Sequence, residues 1–243
     1  MLKFLRKFRL RLLSENKFSK YLLYAIGEIV LVVLGILIAL QINTWNDARN
    51  LAAKELLLLA ELKSNLETNL ASLERDILIQ IEGARHIDTL ILHLERRLPY
   101  DPSIQIHLKR GEFAPDVILT SSAFETLKSS GLELIRSDSL RRQIINLFEV
   151  AYPYLMQETR RLEDQVWPAV VVPAMQRHFR FDGDGQPIPV DYQSLLSDTE
   201  FINMWSFRRD MRNASTRHKK RAAERTREVI ISLENELKHR LNQ

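Results

Sequence analysis

Residues 21–42 read YLLYAIGEIVLVVLGILIALQI, an apolar run of 22 residues whose one formal charge is Glu28. As a helix rising ~1.5 Å per residue it is roughly 33 Å long, which suits a hydrocarbon core of ~30 Å. The run is read as a transmembrane helix, and the rest of the chain has to be arranged around it.

The flanks set its orientation. Residues 1–20 carry Lys3, Arg6, Lys7, Arg9, Arg11, Lys17 and Lys20 against Glu15, a balance of +6, so the remaining residues carry −2 of the overall +4. The basicity therefore belongs to the membrane flank, and a nucleic-acid partner has no support. Lys and Arg beside a transmembrane helix stay in the cytoplasm, and no such excess follows Ile42, where Asp47, Arg49, Lys54, Glu55 and Glu61 alternate in sign. The expected topology is N-terminus in, bulk out, across a bacterial inner membrane.

Phe4, Leu5, Phe8, Leu12 and Leu13 lie among the cations of the tail. They fit an amphipathic helix on the anionic inner leaflet, or equally an unstructured basic tail. Tyr21, Tyr24 and Trp45 mark the membrane boundaries. The run exceeds a signal-peptide core and lacks a small-residue cleavage site, so an uncleaved anchor is expected. The absence of cysteine excludes disulfides and cysteine-based metal or redox sites.

Beyond the span lie about 200 residues, enough for one sizeable domain. Seven glycines and eight prolines in the whole chain predict long helices and few loops. Residues 46–98 contain no proline and one glycine, Gly83, with apolar residues at 59, 62, 66, 70, 73, 77, 81, 84, 87, 91, 94 and 98. That is one stripe of a helix, its steps from 59 to 81 averaging ~3.67 residues as in an eleven-residue repeat. One helix is predicted from the membrane to about Leu98, a stalk in which Asn46 and Gly83 are the places for a break.

Pro99 and Pro102 end that helix, and residues 99–119 read as a connecting loop with one short extended piece. Ser122-Ala-Phe-Glu125 has capping-box spacing and opens a short helix that Ser130-Gly131 ends. Asp138 is the predicted N-cap of a helix from Ser139 to about Phe179, kinked or interrupted by Pro153, Pro168 and Pro173. The apolar residues 166–173 belong in the core or against a partner, and 181–192 read as a polar turn. Ser197-Asp-Thr-Glu200 is a second capping box, opening a last helix to about Leu241 with a polar middle between Asn213 and Arg227. The expected fold is all-α. A basic cytoplasmic tail (1–20) precedes a single N-terminal transmembrane helix (21–42), which continues into the stalk and an antiparallel α-helical bundle occupying 43–243 in the periplasm.

Glu28 shares a helical face with Tyr24, Leu31, Val32, Gly35, Ala39 and Ile42. Gly35 and Ala39 form a small-xxx-small pair, which lets two transmembrane backbones approach. A carboxyl in an apolar span points to function by default. Three readings fit: a self-association interface in which Glu28 is protonated or hydrogen-bonded, a proton- or ion-handling carboxylate, and a glutamate reaching towards headgroups or a nearby lysine.

Glu82, His86 and His93 lie along one face and could supply metal ligands, but no second cluster has matching spacing and solvated Glu-His pairs are common. Asp182-Gly-Asp184-Gly-Gln186 starts like a calcium loop, yet Pro187 and Gln193 stand where glycine and a bidentate glutamate are required, so it reads as a turn. Arg217, Lys219, Lys220, Arg221, Arg225 and Arg227 read as a solvated helix face or as partners for acidic neighbours such as Glu67, Glu74 and Asp76, ahead of binding an anionic polymer or lipid. No Gly-rich phosphate loop, nucleophile elbow or zinc motif occurs, so neither an enzyme nor a cofactor is expected.

Two stretches carry a resemblance. One is Ser14-Glu-Asn-Lys-Phe-Ser-Lys-Tyr-Leu-Leu-Tyr-Ala-Ile-Gly-Glu28, continuing through Gly35-Ile-Leu-Ile-Ala-Leu-Gln-Ile-Asn43 to Trp45-Asn46; the other is Ala123-Phe-Glu-Thr-Leu-Lys-Ser-Ser-Gly131 with Leu134-Ile135 and Leu140-Arg141. Together, over about a quarter of the chain, they resemble a domain-of-unknown-function family of single-pass bacterial membrane proteins. The resemblance implies that architecture and supplies no catalytic residues. The expected function is a membrane-anchored, non-enzymatic helical scaffold or sensor that forms a homo-oligomer through its transmembrane helix. The alternative is a stator-like accessory subunit that works with another membrane protein in an ion-driven complex and uses Glu28.

Overall fold

The apolar run and the stripe after it lie on one helix, α1 (Phe18–Glu95), unbroken at Asn46 and Gly83. The computed structural model describes residues 18–241 apart from 116, and side chains within that range apart from those of 18–21, 162, 163 and 241. The predicted tail helix, with Lys3, Arg6, Lys7, Arg9, Arg11 and Lys17, lies outside the described residues, and Lys20 outside the described side chains. The chain divides into two units, residues 1–54 and 55–243.

In the first unit, residues 29–51 are exposed throughout. None of the most apolar 18-residue window is buried, at a mean hydropathy of 2.6, and the helix is long and apolar enough to cross a membrane. A core helix of that composition would be covered by its own chain. After Ile42 the polar side chains turn back on the helix: the Thr44 hydroxyl donates to the Leu40 carbonyl (2.9 Å) and the Asn43 amide to Asp47 (3.1 Å).

The second unit is an antiparallel helical bundle. Its buried seam on α1 runs through 55, 59, 62, 66, 69, 73, 76, 80, 83, 87, 90 and 94, in alternating steps of four and three. This corrects the eleven-residue repeat. Between 69 and 83 the buried positions are Asn69, Asp76, Gln80 and Gly83 alongside Leu73, whereas the apolar stripe had followed Leu70, Ile77 and Ile81 on the flank. A search for apolar residues leaves the seam where the seam turns polar, and so overestimates the period.

Helix α1 ends three residues earlier than expected, before either proline. The Leu98 N–H donates to the His93 carbonyl (3.2 Å) and the Arg97 N–H to that of Leu94 (3.0 Å), with Arg97 at φ 51°. These are the paired bonds of a Schellman ending, with arginine where glycine is usual.

Residues 99–119 are not simply a loop. They hold α2 (Ile104–Glu112), which buries Ile104, Leu108 and Gly111 on one face. In α3 (Ser122–Ser130) the capping box does not form: the N-cap is Ser121, and Ser122 donates instead to the Asn65 amide oxygen at 2.9 Å. A single 3-10 turn, Leu132–Leu134, follows Gly131.

A helical run then continues from 138 to 178 as α4 (Asp138–Asn146), a π turn (Leu147–Ala151), α5 (Tyr152–Val166), a second π turn (Trp167–Val171) and α6 (Val172–His178). Its N-cap is Ser137, which accepts from the Leu140 N–H, one residue before the expected Asp138. The prolines widen the helix rather than stopping it. Tyr152 and Val172 bond five residues back, to Leu147 and Trp167, and each directly precedes a proline, Pro153 or Pro173. A wide turn repositions the carbonyl that the proline ring would strike and absorbs the missing N–H.

The predicted polar turn is a hairpin, β1 (Phe179–Phe181) antiparallel to β2 (Pro187–Pro189). A short helix, α7 (Tyr192–Leu195), leads to α8 (Thr199–Leu241), whose cap is Asp198 accepting from the Phe201 N–H at 3.0 Å, one residue beyond the predicted serine.

Two apolar cores result. One packs α1 from Leu58 to Leu73 against α3, α4, α5 and Ala222–Leu233 of α8, with Phe124 stacked on Phe148 at 4.5 Å. The other packs Ile87–Leu94 against α2, α6, β1, α7 and the start of α8 around Trp205.

Candidate functional site

Between these cores lies a buried polar layer, of which Lys219 falls within the polar middle expected between Asn213 and Arg227 and Arg208 and Arg212 precede it. Arg208 and Arg212 are 2% and 1% exposed, and Lys219 is 2% exposed. Helix α2 explains the two arginines. The last carbonyls of a helix have no partner within it, and here they point at α8. Arg212 donates through Nε to the Gly111 carbonyl (2.9 Å), through Nη2 to those of Arg110 (3.3 Å) and Phe113, and through Nη1 to Gln80 (3.1 Å). Arg208 Nη2 takes the Glu112 carbonyl at 2.9 Å. A planar fork of five donors at the negative end of a helix suits this arrangement, and lysine could not reproduce it.

Two glycines make the room. A Cβ on Gly83 would lie 2.3 Å from Nη1 of Arg212 and 2.4 Å from its Cζ. A Cβ on Gly111 would lie 2.9 Å from Ile87 Cγ1 and 3.1 Å from Trp205 Cζ3. Gly83 therefore marks the seat of a guanidinium and not a break in α1.

The basic run divides by face. Lys219 pairs with buried Asp76, and Arg227 lies 2.6 Å from Glu74, as expected of acidic neighbours. Arg217, Lys220, Arg221 and Arg225 are exposed, as expected of a solvated face.

Beside the layer, where the end of α2 faces the second π turn, is a cavity of about 640 Å³. Arg208 and Trp167 line it, the guanidinium carbon 5.3 Å from the centre of the indole ring, in the range of a cation–π contact. Lys109, Glu112, Phe113 and Asp164 complete most of the wall. Burial holds the Glu112 carboxyl above the usual carboxylate range, outweighing the Arg208 charge that acts the other way.

The histidines of the strip Glu82, His86 and His93 meet other partners. His86 Nδ1 lies 2.9 Å from His107 Nδ1, and His93 Nε2 lies 3.1 Å from the Pro99 carbonyl oxygen. Burial, then the neighbouring His86 and His93, lower the pKa of His107. Asp182 behaves as a turn residue: its carboxylate accepts from the N–H groups of Asp184 (3.0 Å) and Gln186 (2.7 Å).

In the first unit Glu28, Gly35, Ala39 and Tyr24 all lie on α1. Gly35 and Ala39 are exposed, and a Cβ on Gly35 would meet nothing within 4 Å. The arginines and glycines of the polar layer were missed by sequence reasoning. The signal available was the unbroken three-and-four spacing carried through Asn69, Asp76, Gln80 and Gly83.

Residues 28–206 match the model of a family of unknown function, DUF6090. The chain belongs to that family. The DUF6090 match takes in the wall of the cavity from Lys109 to Pro168 and stops two residues before Arg208. No curated protein and no solved structure matches the chain. The resemblance carried by the two sequence stretches agrees with a domain family without assigned function.

Proposed function

We propose that this DUF6090 protein is a membrane-anchored, non-enzymatic helical module that self-associates through its apolar helix and acts as a scaffold or sensor. In this reading the N-terminus is cytoplasmic and residues 43–243 are periplasmic, with the basic flank against anionic lipid. The observation that carries it is the uncovered apolar surface of residues 29–42, with Gly35 and Ala39 on the same face as Glu28. Small residues on one face let helices approach closely in lipid, where no hydrophobic force drives them together.

Crosslinking in native membranes tests it. A homo-oligomer is expected, weakened by Gly35→Leu or Ala39→Leu. Because among the described residues nothing lies within 4 Å of a Cβ at Gly35, a loss of oligomer there reports an intermolecular contact. A wild-type chain that stays monomeric at native expression would sink the proposal. The intramembrane carboxyl favours a second reading, an accessory subunit of an ion-driven complex. Glu28→Gln separates the two, because it abolishes function in a stator-like subunit and leaves a scaffold assembled and active.

A further inference from the structure

The cavity at the end of α2 gathers charges of both signs that the fold does not consume. Among the described residues, the side chains of Lys109 and Asp164 take part in no ion pair or hydrogen bond, although both line the cavity. Glu112 adds a half-buried carboxyl, which burial holds above the usual carboxylate range against the pull of the Arg208 charge. Trp167, Phe113 and Pro168 offer apolar surface between the charges, and Phe113 is 57% exposed. A volume of about 640 Å³ lies within the ~300–1,000 Å³ of small-molecule sites, which are mostly apolar with a few converging polar groups.

A purely anionic ligand would face Glu112 and Asp164, and a purely cationic one would face Lys109 and Arg208. We infer that this cavity binds a small zwitterion with an apolar side group, of the amino-acid or dipeptide class. The ligand's carboxylate lies on Lys109, its ammonium between Glu112 and Asp164, and its side group against Trp167 and Phe113. This goes beyond the anchoring reading and does not depend on self-association, since every residue involved belongs to the second unit.

The test is isothermal titration calorimetry on the full-length protein in detergent, with L-phenylalanine, L-phenylalanyl-L-alanine, L-phenylalaninamide and N-acetyl-L-phenylalanine. Saturable binding of a zwitterion is expected. Removing either the carboxylate, as in the amide, or the ammonium, as in the N-acetyl compound, should weaken binding at least tenfold. Lys109→Met should abolish the preference for phenylalanine over its amide. Glu112→Gln with Asp164→Asn should abolish the preference over the N-acetyl compound. Lys109 and Asp164 are exposed and half-buried Glu112 is replaced by an uncharged side chain of the same shape, so these variants keep their fold, which far-UV circular dichroism verifies. The inference is overturned if neither zwitterion gives saturable heat at millimolar concentration, if charged and neutralised compounds bind alike, or if the variants discriminate as the parent does.

Discussion

Replacing Gly83 by alanine sets two effects against each other at one carbon atom. In a helix interior the change is favourable by about 1 kcal/mol, because glycine loses more backbone freedom on folding. At this position the new Cβ would lie 2.3 Å from Nη1 of Arg212 and 2.4 Å from its Cζ, well inside contact distance. Arg212 has nowhere to retreat, being held by carbonyls of α2 and by Gln80.

Giving up two hydrogen bonds from a charged group, at ~1.5–3 kcal/mol each, costs roughly 3–6 kcal/mol. Set against the propensity gain, the net destabilisation is about 2–5 kcal/mol. For a unit of this size that is a fall in melting temperature of roughly 4–20 °C. Urea unfolding of the full-length protein in detergent, followed by far-UV circular dichroism, measures it. The same substitution in an Arg212→Ala background should lose most of its penalty, because the clashing atoms are gone. A neutral or stabilising Gly83→Ala, or an equal penalty in both backgrounds, would refute the seat assigned to Arg212.

Three further outcomes are expected. Lys219→Met should cost ~3–5 kcal/mol by leaving Asp76 buried and unpaired, with Asp76→Leu added to it recovering most of the loss; denaturant midpoints of the single and double variants check this. His107 has a folded-state pKa below its ordinary 6.5, so below pH ~6.5 the unfolded chain binds a proton that the native chain resists. Stability should therefore be full above that value and fall as pH drops towards the folded-state pKa, a slope that His107→Gln flattens in urea titrations across pH 7 to 5. For topology, alkaline phosphatase fused after Gln243 should be active and a fluorescent protein requiring the cytoplasm dark there; the reverse pair would place the bundle in the cytoplasm.

The long apolar helix was legible because it depends on one local property, an uninterrupted apolar run, that no distant contact can alter. Long helices were legible for a similar reason, since scarce glycine and proline and a stripe of period near 3.6 act within a few turns. The antiparallel bundle followed from helix count and loop length. Capping was legible to within one residue: Ser137 and Asp198 take roles expected of Asp138 and Ser197. Neighbouring cap-competent side chains compete, and the choice falls to whichever the packing aims at the free N–H.

What sequence alone determined, then, is where the helices are and which part of the chain is apolar enough for a membrane. Tertiary structure decided what happens at the centre of the bundle. Arg208, Arg212, Lys219, Asp76 and Gln80 carry side chains that any local rule sends to solvent. The two arginines and Gln80 are buried because α2, itself hidden in a segment read as a loop, ends there and presents carbonyls that must be satisfied, whereas Lys219 and Asp76 are buried as each other's partner. Gly83 and Gly111 likewise read as weak points along their own helices. Only the approach of α8 gives them their meaning, as the space occupied by a guanidinium and an indole contributed from about a hundred residues away.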